Sequence, residues 1–132
     1  MTTILFADDS ASIREFVKQE LEDEGYRVLL ARDGKEAVDT VGSERPDLAI
    51  LDIWMPQLNG LEAAERIATM DPGIRVILYT NNAELCMRDA RSNFAAACIE
   101  KGSDFAELER AIRSVLASRG SKTLFRIGLP PI

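Results

Sequence analysis

The sequence predicts an α/β domain: a doubly wound, five-stranded parallel sheet with helices on both faces. Three observations carry this. Five short apolar runs, at residues 4–7, 26–31, 48–51, 74–79 and 95–99, are partly β-branched and bounded by turn or polar residues. That is how strands buried on both faces read. Amphipathic stretches of helical spacing separate the runs. The alternation repeats five times, which implies right-handed crossovers and a parallel sheet.

Each element has its own signals. The first strand ends at Asp8-Asp9, and Ser12 with Glu15 has the spacing of a capping box for the first helix. Ile13, Phe16, Val17 and Leu21 form that helix's apolar face, and Gly25 closes it. Asp33 with Glu36 opens the second helix, and Asn59 with Glu62 opens the third. The third carries Leu61, Ala64, Ile67 and Ala68 on one face, and Asp71-Pro72-Gly73 breaks it before the fourth strand. A fourth helix over residues 83–92 has a thin apolar stripe, with Asn81-Asn82 as its cap. Asp104 with Glu107 opens the last helix, whose stripe is Leu108, Ile112, Val115 and Leu116 and which ends near residues 118–120. Five strands linked in this way favour the order 2-1-3-4-5, the flavodoxin-like arrangement.

The chain has 132 residues, 46% hydrophobic and 29% charged, which suits one soluble domain with a core that needs no staples. A net charge of −6 repels a phosphate backbone, so direct nucleic-acid binding is not expected. The chain has no histidine, which excludes Ser-His-Asp and Cys-His catalysis and a phosphohistidine of its own. Cys86 and Cys98 are too widely spaced for a zinc motif, and reduced intracellular thiols are the expectation. No apolar stretch is long enough for a membrane span, and the N-terminus has no basic-then-apolar leader pattern. The cytoplasm is the expected compartment.

Ligands of open parallel sheets gather at the C-terminal ends of the strands. There stand Asp8 and Asp9 after the first strand, Asp52 after the third, Thr80 after the fourth and Lys101 after the fifth. Singly, each has an ordinary explanation: a helix cap, a turn residue, a solvated lysine. Together at one edge they describe a pocket. Three crowded carboxylates repel one another, and a divalent cation relieves this. Hard oxygen donors with room for water suit Mg²⁺. A carboxylate beside such an ion, an ammonium and a hydroxyl is placed to attack phosphorus and form an aspartyl phosphate.

Asp8-Asp9, the stretch Asp52-Ile53-Trp54-Met55-Pro56 with Asn59-Gly60, then Thr80 and Lys101 resemble the receiver domain of bacterial response regulators, the chemotaxis-regulator-like switches of two-component signalling. The likeness covers about residues 3–118, within a domain set at residues 1–120. Residues 121–132, with Gly128, Pro130 and Pro131, read as a C-terminal tail or linker stub. The resemblance implies Asp52 as phospho-acceptor. It implies Mg²⁺ held by Asp9, Asp52 and the Trp54 backbone carbonyl, with Asp8 acting mainly through water. Lys101 would pair with the phosphoryl group, and Thr80 would bond to it and move inward. The implied donor is a histidine kinase or phosphotransfer protein carrying a phosphohistidine. The implied output is a downstream protein reading the face of the fourth helix, fifth strand and fifth helix, with a homodimer through the same region as an option.

Three features depart from the family pattern. Cys98 stands where an aromatic residue usually precedes the lysine by three, so signalling would run through backbone shifts at Thr80 and the fourth helix. Gly102 follows Lys101 in place of the usual proline; glycine has the conformational freedom to keep the lysine in position. Trp54 and Asn81-Asn82 add bulk at the rim, which predicts a shielded, long-lived acyl phosphate. Two rival readings are a receiver-like binding module that works without phosphorylation and an aspartyl-phosphate phosphatase. The phosphatase class resembles Asp-x-Asp, and here Trp54 holds the second position and cannot donate a proton. A signalling protein, not an enzyme, is the expectation.

Overall fold

The computed structural model describes residues 1–102 and 104–118. The expected tail at residues 121–132 lies outside the described residues. The order of elements is β1 (Thr3–Ala7), α1 (Ala11–Asp23), β2 (Arg27–Ala31), α2 (Gly34–Glu44), β3 (Leu48–Leu51), α3 (Gly60–Met70), β4 (Arg75–Thr80), α4 (Ala83–Arg88), β5 (Ala97–Glu100) and α5 (Phe105–Ala117). A 3-10 turn, Ala90–Phe94, lies between α4 and β5. The five strands form one parallel sheet in the order β2-β1-β3-β4-β5, as expected.

Strand alternation divides the core in two. Ile4, Phe6, Ile50, Ile77 and Ile99 face α1 and α5, where they meet Val17, Leu21, Leu108 and Ile112. Leu5, Ala7, Leu51, Leu78 and Cys98 face the other way, onto Ala37, Val41, Ala64 and Ile67. Every one of these side chains is buried. With both faces covered, β1, β3 and β4 need the continuous apolar runs seen in the sequence.

The helix ends follow the sequence in most places and depart in two. Asp33 accepts the Glu36 N–H at 2.8 Å, Asn59 accepts that of Glu62 at 2.9 Å, and Asp104 caps α5 through the Ala106 N–H at 3.1 Å. The cap of α1 is Ser10, not Ser12: Ser10 Oγ accepts the Ile13 N–H at 3.4 Å. The reason lies one step back. Asp8 Oδ1 accepts the Ser10 N–H at 2.9 Å, so the chain turns into the helix immediately after the strand.

The fourth helix is not continuous over residues 83–92. It stops at Arg88, and Asp89 starts the 3-10 turn by accepting the Arg91 N–H at 2.9 Å. This also delays β5 to Ala97, because the Ala95 N–H closes the turn on Ser92 O at 3.0 Å. The Ala83 N–H at the start of α4 reaches Glu100 Oε1 of β5 at 3.4 Å, while Asn82 contributes its carbonyl to Cys86. Phe16 departs from its expected place on the buried face of α1. It is 53% exposed and stands edge-on to Phe105, with ring centroids 5.4 Å apart.

Candidate functional site

Parallel strands bring Ala7, Leu51, Thr80 and Glu100 to one edge of the sheet, and the residues that follow them turn into the site. The Asp8 N–H is tied to Ala31 O at 3.1 Å and the Asp52 N–H to Ala7 O at 2.9 Å. Both backbones are therefore extensions of the sheet ladder, and their carboxylates are aimed by a rigid frame. Asp8 and Asp52 are buried, and Asp9 is exposed. Asp8, Asp9 and Asp52 each offer a carboxylate oxygen within 4.8 Å of the others.

The Lys101 N–H is bonded to Thr80 O at 2.7 Å, which continues the pairing of β4 with β5 and turns the lysine over the acids. Lys101 Nζ donates to Asp8 Oδ2 at 2.5 Å and lies 3.4 Å from Asp52 Oδ1. Gly102, the next residue, has φ +87°, a left-handed conformation that an L side chain rarely adopts. The glycine in place of the usual proline thus serves the turn that presents the lysine.

Burial is the largest influence on Asp52 and pushes its carboxyl above the ordinary range. The Lys101 charge pulls it down, the Asp8 charge pushes it up, and hydrogen bonds from Lys101 and the Trp54 N–H lower it without cancelling the effect of burial. Burial also depresses the Lys101 ammonium, but the Asp8 hydrogen bond and the charges of Asp52 and Asp8 outweigh it and leave Lys101 above its usual value. The site is a proton-hungry carboxylate held beside a firmly charged lysine.

The acid cluster fits a hard divalent ion. Mg²⁺ takes six oxygens at about 2.1 Å, so neighbouring ligand oxygens sit about 3 Å apart. Carboxylate oxygens that are already within 4.8 Å can close to that spacing by side-chain rotation, and exposed Asp9 leaves positions for water. A single lysine leaves three carboxylates undercompensated, which favours the ion further.

Thr80 is buried, and its hydroxyl accepts the Asn82 N–H at 3.4 Å. It shares the lining of a cavity of about 350 Å³ with Trp54, Asn82, Cys86 and Arg88. Trp54 is 61% exposed and stands at the rim of this cavity. The structure thus gathers Asp8, Asp9, Asp52 and Lys101 tightly and sets Thr80 and Trp54 beside the cavity that adjoins them.

Three supporting residues escaped the sequence reading. Arg14 donates to the Asp8 carbonyl at 2.7 Å, one turn into α1, and nothing in its spacing announces this. The Tyr79 ring lies under Lys101 Nζ, 5.6 Å from ring centroid to nitrogen, a cation–π contact. Its place just before Thr80 at the end of β4 was the available signal. Glu100, next to Lys101, anchors the start of α4.

Comparison with known proteins agrees with the fold. The family model described as "Response regulator receiver domain" matches residues 4–113. Sporulation initiation phosphotransferase F of Bacillus subtilis is 35% identical over 114 residues, which are 86% of this chain and 92% of that protein. The response regulator MprA of Mycolicibacterium vanbaalenii is 33% identical over 114 residues, 86% of this chain, and the chain spans about half the length of that relative. Among solved structures, the Thermotoga maritima response regulator TrrA in complex with Mg²⁺-BeF is 36% identical, with a TM-score of 0.83 over 87% of this chain and 99% of that one. CheY in the CheX-CheY-BeF3-Mg²⁺ complex of Borrelia burgdorferi is 29% identical, with a TM-score of 0.80 over 86% and 88% of the two chains. A sheet in the order 2-1-3-4-5, with an acid cluster and a lysine at its C-terminal edge and a family match across most of its length, leaves one assignment: the chain belongs to the response regulator receiver domain family.

Proposed function

We propose that this chain is the phospho-acceptor switch of a two-component system, with Asp52 as the acceptor. The observation that carries the reading is the cluster of Asp8, Asp9 and Asp52, with Lys101 Nζ against Asp8 and Asp52, at the open edge of the sheet. Asp52 Oδ attacks the phosphorus of a phosphohistidine on a histidine kinase or phosphotransfer protein. The O–P bond forms, the P–N bond breaks, and the imidazole leaves with the electron pair. Asp8, Asp9, Asp52 and the Trp54 carbonyl would hold Mg²⁺, which screens the charge on the phosphoryl oxygens when it is bound. Lys101 pairs with one of those oxygens. Thr80 releases the Asn82 N–H, turns inward and donates to another. Since Asn81-Asn82 lead straight into α4, that movement reaches the face of α4, β5 and α5, where a downstream protein or a second copy of the chain would read it. The chain has no histidine, so it receives from the donor protein and cannot replace it.

Intact mass after incubation with acetyl phosphate and Mg²⁺ tests the reading. A gain of one phosphoryl group, about 80 Da, is expected, and none with Mg²⁺ removed by a chelator. A chain that binds Mg²⁺ and stays unmodified, even with a phosphohistidine donor, would be a binding module that works without phosphorylation.

Two further outcomes follow from the geometry. Lys101→Ala removes a cation that competes for the acids, so Mg²⁺ is expected to bind about tenfold more tightly, a change of about 1.4 kcal/mol. Trp54 is the only tryptophan and stands two residues from Asp52, so quenching of its fluorescence reports the titration. Phosphoryl uptake should fall in the same variant. Trp54→Ala opens the cavity rim to water, and its phosphorylated form is expected to lose phosphate several-fold faster than wild type. An unchanged decay rate would show that the ring does not shield the acyl phosphate.

A further inference from the structure

The side of β5 that faces α4 carries Cys98, and α4 points Cys86 at it. Their sulfurs lie 3.3 Å apart. That is contact distance, beyond the roughly 2.05 Å of a covalent S–S bond. Both thiols are buried, Cys98 at 0% exposure and Cys86 at 3%. Cys86 also lines the 350 Å³ cavity that opens beside Trp54 and Thr80, so a small oxidant has a route to one sulfur of the pair and not to the other. α4 is only six residues long and ends where the 3-10 turn begins. Between its backbone and β5 runs the Ala83 N–H to Glu100 contact, at a marginal 3.4 Å. A covalent tie at Cys86 would therefore change how firmly this short helix is held.

We propose that Cys86 and Cys98 form a reversible intramolecular disulfide, made by a small peroxide entering the cavity, that locks α4 to β5. The Cys86 thiolate attacks hydrogen peroxide; the S–O bond forms, the O–O bond breaks, and hydroxide leaves. The Cys98 thiolate then attacks the sulfenic sulfur; the S–S bond forms and the S–O bond breaks. In sum, two thiols and one peroxide give one disulfide and two waters. The sulfurs together lose two electrons, and the peroxide oxygens gain them. A cellular dithiol reverses the bond by exchange. Formation of the bond is independent of the phosphorylation chemistry. Its consequence rests on the reading of Asp52 as acceptor: Thr80 and Asn82 join β4 to α4, so a helix fixed to β5 restrains the inward turn of Thr80.

The test treats the whole chain with hydrogen peroxide, then alkylates it in denaturant without reductant. Intact mass should fall by two hydrogens, with no alkylation, and dithiothreitol should restore two alkylatable thiols. A digest should link the peptides containing Cys86 and Cys98. Cys86→Ser and Cys98→Ser should each abolish the link. Two alkylatable thiols after treatment, a stable sulfinic acid, or a disulfide-linked dimer would overturn the proposal. In a parallel arm, phosphoryl uptake from acetyl phosphate is expected to be about fivefold or more slower in the oxidised than in the reduced chain. Peroxide should leave uptake by Cys86→Ser unchanged. A disulfide that forms and leaves uptake the same would overturn the regulatory part. Failure of the reduced chain to take up phosphate would count against the acceptor reading and leave the disulfide result standing.

Discussion

Asp52→Asn is expected to take up no phosphoryl group from acetyl phosphate with Mg²⁺, and, with metal chelated, to melt above wild type at pH 7. The first effect is chemical: an amide has no carboxylate oxygen to attack phosphorus. The second follows from burial. In the folded chain the Asp52 carboxyl titrates above its ordinary value of 3.8. The unfolded chain gives up that proton at lower pH than the folded one. Stability is therefore lost as pH rises from 3.8 through the folded value, and the loss persists at neutral pH. Asparagine removes the titration and the cost of a buried charge. The gain in melting temperature should be a few degrees at pH 7 and should vanish below the unfolded pKa. Saturating Mg²⁺ should reverse the order, because the ion stabilises wild type and finds one ligand fewer in the variant. Thermal melts at pH 3 and pH 7, with chelator and with Mg²⁺, check all three statements.

Gly60→Ala should be strongly destabilising, because the added methyl meets the backbone of the site itself. A Cβ on Gly60 would stand 2.1 Å from the Asp52 carbonyl oxygen, 2.8 Å from its carbonyl carbon and 2.9 Å from the Ile53 Cα. All three are backbone atoms, so no side chain can swing aside. The Gly60 N–H is also bonded to Ile53 O at 2.9 Å, which clamps the start of α3 onto the end of β3. Relief requires moving either the helix or the acceptor, and a cost of about 3 kcal/mol or more is expected. Urea unfolding measures it. A loss under about 0.5 kcal/mol would mean that the loop can open without strain. Where the variant folds, Mg²⁺ affinity should drop with stability, since Asp52 shares the displaced backbone.

The fold and the site were legible in the sequence to different depths. The strand runs were legible because a sheet covered on both faces leaves no polar position inside β1, β3 or β4. Asp8 and Asp52 were legible for the same reason: each is the first charged residue after such a run, and parallel strands place those residues at one edge; Lys101 stands there too, one residue beyond the Glu100 that ends β5. Ser10 was not, because its capping role depends on the Asp8 side chain taking the Ser10 N–H, a choice between two serines that spacing cannot make. The break in the fourth helix was hidden in Asp89, whose carboxylate caps a new turn by accepting the Arg91 N–H. Gly60 read as a helix opening, and its approach to Asp52 is a contact between elements. The meeting of Cys86 with Cys98 was invisible for that reason too: it depends on where a six-residue helix lands on β5. Phe16 shows the converse, an apolar residue in register with a buried face that is served at the surface by one aromatic neighbour.

The central claim is that Asp52 itself carries the phosphoryl group. The most direct measurement is borohydride reduction of the chain after acetyl phosphate and Mg²⁺, followed by peptide mass mapping. Reduction converts an aspartyl phosphate to homoserine and leaves free carboxylates as they are. The account predicts homoserine at position 52 and nowhere else. Homoserine at Asp8 or Asp9, or a phosphorylated chain with none at position 52, would contradict it.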